Sequence, residues 1–149
     1  MRILAATDGS DSANRAVELA ARLAKALRAH LKIIHVMTES DAANDQMGEY
    51  AHSEHHTTSA EAANAFSEDR LRSAQLRAEA LGVSDVESAS VPELEAGAIA
   101  ETIMDAAQRD DADIIVMGKR GLGRLSGLLV GSVSQKVVST ATCAVTVVP

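Results

Sequence analysis

The residues best suited to chemistry lie in one glycine-rich, basic stretch between positions 118 and 132. A short apolar run precedes this stretch, and a segment with helical spacing follows it. Glycine allows backbone N–H groups to approach a ligand closely, and the first N–H groups of a helix favour negative charge. The stretch Gly118–Ser132 therefore predicts a loop that binds phosphate.

The spacing of the glycines separates this loop from the commoner phosphate motifs. Gly118, Gly121, Gly131 and Ser132 fit the pattern Gly-x2-Gly-x9-Gly-Ser/Thr. A Walker loop needs a Gly-Lys-Ser/Thr ending that the chain lacks, and a dinucleotide fingerprint should follow the first strand. Both classes are therefore disfavoured.

A second polar cluster, Thr7-Asp8-Gly9-Ser10-Asp11-Ser12, follows the first apolar run. Its residues are typical of a turn and a helix N-cap. The cluster is also similar to the Ser-Gly-Gly-x-Asp-Ser pyrophosphate loop of adenylate-forming enzymes. Here, however, Asp8 replaces a glycine, and its carboxylate would repel pyrophosphate. An adenylate-forming enzyme therefore remains a minor alternative.

Other residues that could do chemistry form no recognisable site. His52, His55 and His56 lie near Glu49, but their spacing fits no standard zinc site and no cysteine supports it. We interpret them as part of an exposed loop over residues 38–59. His35 lies within a predicted strand and is expected to be a hydrogen-bonded core or cleft histidine. We predict no catalytic constellation and no dedicated metal site.

Apolar periodicity supplies the elements that must position the glycine loop. We predict strands at 2–6, 31–37, 83–91, 113–117 and 144–148, the third near a sheet edge because it is the least hydrophobic. Helices are expected from after residue 12 to about residue 29 and over 60–81, 97–110 and 132–140. In the first of these helices, Leu27 falls on the apolar face that is expected to turn inward. This alternation predicts an α/β fold whose parallel sheet is covered on both faces. Ligands bind such sheets at the carboxyl ends of their strands.

Composition narrows the class of protein. The chain has 149 residues, so we expect one domain over 1–149. A net charge of −7 disfavours a general nucleic-acid binder. With one Phe, one Tyr and no Trp, an adenine ring would have to lie between aliphatic side chains. The apolar runs are too short to insert into a membrane, and no signal peptide is evident. We therefore expect a cytoplasmic location. The single cysteine, Cys143, is expected to be a buried packing residue.

At the loop, the chain resembles the universal stress protein family, in its nucleotide-binding branch. Gly118, Gly121, Gly131 and Ser132 carry the strongest match, and the resemblance covers essentially the whole length. Further similar segments are 2–10, 34–36, 95–99, 115–118 and 141–148. The chain departs from the family at Ala98 and Ala144, where proline is frequent, and at Ala6, where some nucleotide-binding members have proline.

The resemblance implies a doubly wound, Rossmann-like sheet of the adenine nucleotide alpha hydrolase-like type, with strand order 3-2-1-4-5. It implies ATP, ADP or AMP bound between strands 1 and 4, with any Mg²⁺ held through the phosphates. Asp8 would face the adenine or ribose, and Val36 would contact adenine through its backbone. The remaining expected ligand contacts are Ala6, Thr7, Met117, Gly118, Lys119, Arg120, Gly121, Leu122, Gly123, Gly131, Ser132 and Val133.

The function expected from these features is that of a regulatory nucleotide sensor in the stress response, with at most slow ATP hydrolysis. A dimeric interaction module that works without nucleotide remains an alternative. The apolar last strand, 144–148, would be an unprotected sheet edge. We therefore expect a homodimer through this strand, with a higher oligomer possible, and a regulatory protein partner that reads the nucleotide state.

Overall fold

A computed structural model describes residues 1–38, 59–121 and 130–149. The strands are β1 (Arg2–Ala6), β2 (His30–Met37), β3 (Val86–Pro92), β4 (Ile114–Gly118) and β5 (Ala144–Val148). The helices of the described segments are α1 (Asp11–Leu27), α2 (Ser59–Ala80), α3 (Ile99–Arg109) and α4 (Ser132–Thr140). Every predicted strand and helix is present, and no bound differs from its prediction by more than three residues.

The five strands form one parallel sheet in the order β3-β2-β1-β4-β5. The order that the family resemblance implied is therefore confirmed, as is the position of β3 at an edge. Strand β1 lies at the centre, where Ala6 pairs with Ile34 on one side and with Met117 on the other. The strand order reverses beside β1, which makes the carboxyl ends of β1 and β4 the expected ligand crevice.

Two apolar layers cover the two faces of the sheet. One contains Ile3, Ile33 and Val116 together with buried residues of α1 and α2. The other contains Leu4, Ile34 and Ile115 together with buried residues of α3 and α4. Successive strand residues alternate between these layers, as the pleat requires. The sheet is therefore buried on both sides, as predicted.

Local signals explain where α1 begins and ends. Ser10 is the N-cap, and its side chain accepts a hydrogen bond from the Ala13 N–H at 3.3 Å. Arg28 adopts a left-handed conformation at φ 51° and closes the helix. The helix therefore ends at Leu27 rather than near 29, and Leu27 is 48% exposed. The prediction that it faces the core is wrong.

Strand β3 begins at Val86, three residues later than predicted. Gly82 has φ 86°, and its N–H donates to the Glu79 carbonyl at 2.8 Å. The Val83 N–H donates to the Ala78 carbonyl at 3.3 Å. Val83 thus belongs to the hydrogen-bonded end of α2, although its apolar side chain reads like the start of a strand.

The amino edge of the sheet carries a charged cleft of about 420 Å³, on the opposite side from the predicted ligand crevice. There the Lys32 Nζ lies 3.0 Å from an Asp110 carboxylate oxygen and 3.4 Å from one of Glu87. Burial alone would lower the pKa of Lys32, but these two carboxylates outweigh it and raise the pKa above its ordinary value. The charges at this edge pair with one another and tie β2 to β3 and to the end of α3.

Cys143 is half-buried and packs against the layer formed with α3 and α4, so the prediction that it is buried holds only in part. Burial raises the pKa of its thiol. None of the described helices is long and apolar enough to cross a membrane. The predicted loop over 38–59, with His52, His55 and His56, lies outside the described residues apart from its ends.

Candidate functional site

The carboxyl edge of the sheet presents an apolar floor made by the last inward-facing residues of three strands. Ala6 of β1, Val36 of β2 and Met117 of β4 are only 8%, 7% and 5% exposed and belong to one apolar cluster. Their side chains share the face that α3 and α4 cover. Ile99 and Val133, in the first turns of these two helices, pack against the same cluster. The floor is therefore aliphatic, as the shortage of aromatic residues predicted.

Backbone groups of Val36 lie where β1 turns away from β2. Successive residues of β2 direct their backbone N–H and C=O groups alternately toward β1 and toward β3. Ile34 faces β1, because its carbonyl accepts the Thr7 N–H at 2.9 Å. The N–H and C=O of Val36, two residues further on, point to the same side of the strand. These two groups of Val36 lie beyond the hydrogen bond between Thr7 and Ile34, after which the chain of β1 no longer pairs with β2. A planar ring resting on the floor could meet both groups with its edge.

The turn after β1 is held by its own side chains. The Asp8 Oδ1 accepts the Ser10 N–H at 3.0 Å, and the Thr7 Oγ1 accepts the Gly9 N–H at 3.2 Å. Gly9 has φ 79°, a left-handed conformation that suits glycine. Thr7 is buried, and Asp8 is partly exposed at the crevice. The turn and N-cap that the sequence predicts are both present.

His35 supports this turn from within the sheet. Its side chain is 2% exposed, and its Nδ1 donates to the Thr7 carbonyl at 2.8 Å. Because a carbonyl can only accept, the Nδ1 carries the proton in this contact. The prediction of a hydrogen-bonded core histidine is confirmed.

Gly118 makes a close approach, but to a helix rather than to a ligand. A Cβ at this position would lie 2.5 Å from the Ser12 Oγ and 2.8 Å from the Ala13 backbone nitrogen. The carboxyl end of β4 thus packs directly against the first turn of α1. The missing side chain of Gly118 serves this packing, which the motif alone did not indicate.

Gly121 brings the loop against the turn after β1. A Cβ there would lie 2.5 Å from the Asp8 Oδ2. The carboxyl ends of β1 and β4 therefore converge, with Asp8 against the start of the glycine loop.

Hydrogen bonds tie the two ends of the glycine loop together. The Lys119 carbonyl accepts the Gly131 N–H and the Ser134 hydroxyl, both at 2.9 Å. The Lys119 N–H donates to the Val148 carbonyl at 2.6 Å. The Gly131 N–H is thus engaged within the protein. The expectation that it is offered to a phosphate does not fit this arrangement.

Serine hydroxyls hold the next residue of the loop. The Ser12 Oγ donates to the Arg120 carbonyl at 2.5 Å, and the Ser10 Oγ contacts the same oxygen at 3.3 Å. Sequence reasoning missed this role of Ser10 and Ser12, and it also missed Ser134. The sequence did contain a signal for this role, because serines in the first turn of a helix often form hydrogen bonds with nearby carbonyls. Which carbonyl they reach depends on tertiary structure.

The N-terminus of α4 points its first N–H groups toward the crevice. The first bond within this helix runs from the Gln135 N–H to the Gly131 carbonyl at 2.9 Å. The N–H groups of Ser132 and Val133 precede that bond and have no partner inside the helix. Gly131 is the N-cap and adds no side-chain cap of its own. Two backbone donors and the exposed Ser132 hydroxyl can therefore meet an anion.

Of the predicted cations, Lys119 is partly exposed and Arg120 is exposed at the start of the loop. Leu122 and Gly123, together with Arg124, lie outside the described residues. Within the described segments, no group of three or more His, Cys, Asp or Glu side chains could hold a metal ion.

Comparison with known proteins gives one consistent result. The model of the universal stress protein family matches residues 1–149. A universal stress protein of Thermus aquaticus is 38% identical over 146 residues, which cover 98% of this chain and 96% of that protein.

Solved structures agree with this match. A universal stress protein in complex with cAMP superposes with a TM-score of 0.70 at 29% identity, covering 99% of this chain and 95% of the other. UspA of Lactobacillus plantarum superposes with a TM-score of 0.76 at 25% identity, covering 100% and 97%.

Proposed function

The chain belongs to the universal stress protein family, and from that membership we propose that it binds an adenine nucleotide and acts as a regulatory sensor in the stress response. The observation that carries the proposal is that an apolar surface and a polar, hydrogen-bond-donating surface lie side by side at the carboxyl edge of the sheet. An aliphatic floor suited to a purine ring lies beside the backbone donors of a helix N-terminus suited to phosphate. A relative in complex with cAMP, 29% identical to this chain, supports an adenine ligand.

We assign the two ends of the ligand to different elements. Ala6, Val36 and Met117 form the bed of the adenine ring, and the Val36 backbone meets the ring edge. Thr7 and Asp8 lie on the ribose side. Gly118 to Gly121 follow the ribose and the α-phosphate, with Lys119 and Arg120 as nearby cations. Ser132 and Val133 bind phosphate, Gly131 gives the close approach, and Leu122 and Gly123 complete the proposed set.

The resident ligand is ATP, ADP or AMP, and Mg²⁺ is held through the phosphates. Octahedral Mg²⁺ usually keeps several waters and takes few protein ligands. We propose at most slow hydrolysis, because the buried His35 already donates its Nδ1 proton to the Thr7 carbonyl and is not free there to act as a base. The nucleotide then serves as a signal, and a regulatory protein partner reads whether the site is filled.

We also propose a homodimer through β5, with assembly into a higher oligomer possible. Strand β5 is an edge strand, and its Val145, Val147 and Val148 side chains are only half-buried. Pairing with the same strand of a second copy would satisfy its backbone and cover its apolar surface. A dimer of this kind that works without nucleotide is the second candidate function, and this half-buried edge is the observation that favours it.

Replacing Gly131 by aspartate tests the phosphate end of the site. The N-cap position has φ −69° and ψ 154°, which aspartate adopts readily, and aspartate is a favoured N-cap residue. The helix should therefore form, while the new carboxylate lies where the phosphates are proposed to bind. We expect Gly131→Asp to weaken binding of ATP at least about tenfold, measured by isothermal titration calorimetry.

Gly131→Asn is the matched control, since its side chain has nearly the same shape and caps the helix equally well without the charge. Both side chains place a Cβ 3.3 Å from the Lys119 carbonyl oxygen, so any steric cost is shared. Binding should be much stronger in the asparagine variant than in the aspartate variant. Equal affinity of both variants and the wild type for ATP would show that the phosphates lie elsewhere.

A further inference from the structure

Two consecutive carbonyl groups at the start of the glycine loop point to opposite helices. The Lys119 carbonyl accepts the Ser134 hydroxyl of α4 at 2.9 Å. The Arg120 carbonyl accepts the Ser12 hydroxyl of α1 at 2.5 Å. Because α1 and α4 cover opposite faces of the sheet, the start of the loop is held from both sides.

The hydrogen bond from Ser12 fixes the direction of the next N–H group. The peptide between Arg120 and Gly121 is trans, and in a planar trans peptide the C=O and the N–H point in opposite directions. Since the Arg120 carbonyl points toward α1, the Gly121 N–H points away from α1, toward the face that carries the apolar floor and α4. Gly121 is exposed and has no side chain that could cover its backbone.

The Gly121 N–H thereby points to the same side as the backbone donors that begin α4. The N–H groups of Ser132 and Val133 have no partner inside that helix, and hydrogen bonds from backbone N–H groups to charged oxygens are strong. Building on the proposed function, we propose that Ser12 is a positioning residue for the nucleotide. Its hydroxyl orients the Arg120–Gly121 peptide so that the Gly121 N–H donates to the α-phosphate.

No neighbouring side chain can fully replace the Ser12 hydroxyl. Ser12 is only 9% exposed, and its Oγ lies so close to Gly118 that a Cβ there would be 2.5 Å away. The Ser10 Oγ reaches the Arg120 carbonyl only at 3.3 Å, and it also accepts the Ala13 N–H as the cap of α1. Loss of the Ser12 hydroxyl should therefore leave the Arg120–Gly121 peptide free to change its orientation.

AMP and adenosine test this proposal, because they differ only in the phosphate. We expect Ser12→Ala to lower the affinity for AMP about tenfold, which corresponds to one hydrogen bond to a charged group. Its affinity for adenosine should stay within about twofold of the wild-type value. Both ligands bind the same folded protein, so a general loss of stability cancels in the ratio of the two dissociation constants. Calorimetric titration of each ligand measures that ratio.

Ser88→Ala is the matched control. The Ser88 hydroxyl donates to the Gln75 Oε1 at 2.8 Å, in the contact between β3 and α2, and it is partly buried. This variant therefore also loses one partly buried serine hydroxyl, but at the edge of the sheet that lies far from β4. It should keep the wild-type ratio of the affinities for AMP and adenosine.

Nuclear magnetic resonance reports on the Gly121 N–H itself. The chain has nine glycines, so protein labelled only with ¹⁵N-glycine gives at most nine backbone amide signals. The Gly121 signal is the one that Gly121→Ala removes. In the wild type, AMP should move the amide proton of Gly121 downfield much further than adenosine does. In Ser12→Ala, saturation with AMP should no longer produce this additional shift.

The outcomes separate this proposal from the one on which it rests. A wild-type protein that binds neither AMP nor adenosine overturns the proposed function itself. If the wild type binds AMP and Ser12→Ala keeps the full preference for AMP over adenosine, only the role of Ser12 is overturned. A wild-type protein that binds AMP without this shift of the Gly121 signal also overturns that role, even if Ser12→Ala does not fold.

Discussion

At the scale of single residues, the glycines of one motif do different work. Gly118 allows β4 to pack against the backbone of α1, and Gly121 brings the loop against Asp8. Gly131 begins α4 and closes the base of the loop through its bond to Lys119. A motif that reads as one phosphate cradle thus contains a packing contact, a contact between loops and a helix cap.

Replacing Gly118 by alanine should destabilise the fold, whether or not nucleotide is present. The added Cβ would lie 2.8 Å from the Ala13 nitrogen and 2.9 Å from the Ser12 carbonyl carbon, and neither backbone atom can move cheaply. Overpacking of this kind costs about 1–3 kcal/mol. We expect that loss in the free energy of unfolding, measured by urea denaturation without ligand.

Gly131→Ala is the control, because its Cβ would meet only the Lys119 oxygen at 3.3 Å. It should cost less than about 1 kcal/mol, the difference between glycine and alanine as N-caps. If Gly118→Ala is as stable as the wild type, the packing role of Gly118 is wrong.

At the scale of elements, the sequence predicts the type and order of every described element because its signals are local. Apolar periodicity, the Ser10 N-cap and the helix stop at Gly82 can all be recognised from the local sequence, without knowledge of tertiary contacts. The start of β3 is not, because Val83 bonds back to Ala78 at the end of α2. The exposure of Leu27 also escapes prediction, since the left-handed Arg28 ends the helix before the expected residue.

The edge strand β5 carries the prediction for assembly. The Ala144 N–H donates to the Asp113 carbonyl and the Val148 carbonyl accepts from Lys119, so these residues face β4. By alternation, the N–H groups of Val145 and Val147 face the open edge. Val147→Pro should abolish the proposed dimer by removing one of these donors, because proline is tolerated only where an edge N–H is not needed.

Light scattering coupled to size-exclusion chromatography measures this effect. The wild type and the control Val147→Ala should have the mass of a dimer, and Val147→Pro that of a monomer. A wild-type protein that is monomeric at all accessible concentrations would contradict pairing through β5. A dimer that survives in Val147→Pro would place the interface on another surface.

At the scale of the whole molecule, the site exists because the strand order reverses beside β1. The sequence predicts which strand ends carry special residues, and the parallel sheet brings Asp8 and Gly121 together. Which carbonyl each serine reaches could not be predicted, because Ser12 and Arg120 are 108 residues apart in the chain.

The central claim is that this carboxyl edge binds an adenine nucleotide, and unfolding of the wild-type protein with and without ligand tests it most directly. Purified protein freed of bound nucleotide is denatured in urea at increasing concentrations of ATP, ADP or AMP, with UTP as the control. We predict that the free energy of unfolding rises by about 2.7 kcal/mol at about 100 times the Kd of the resident nucleotide. An unfolding free energy that no adenine nucleotide raises would contradict the account.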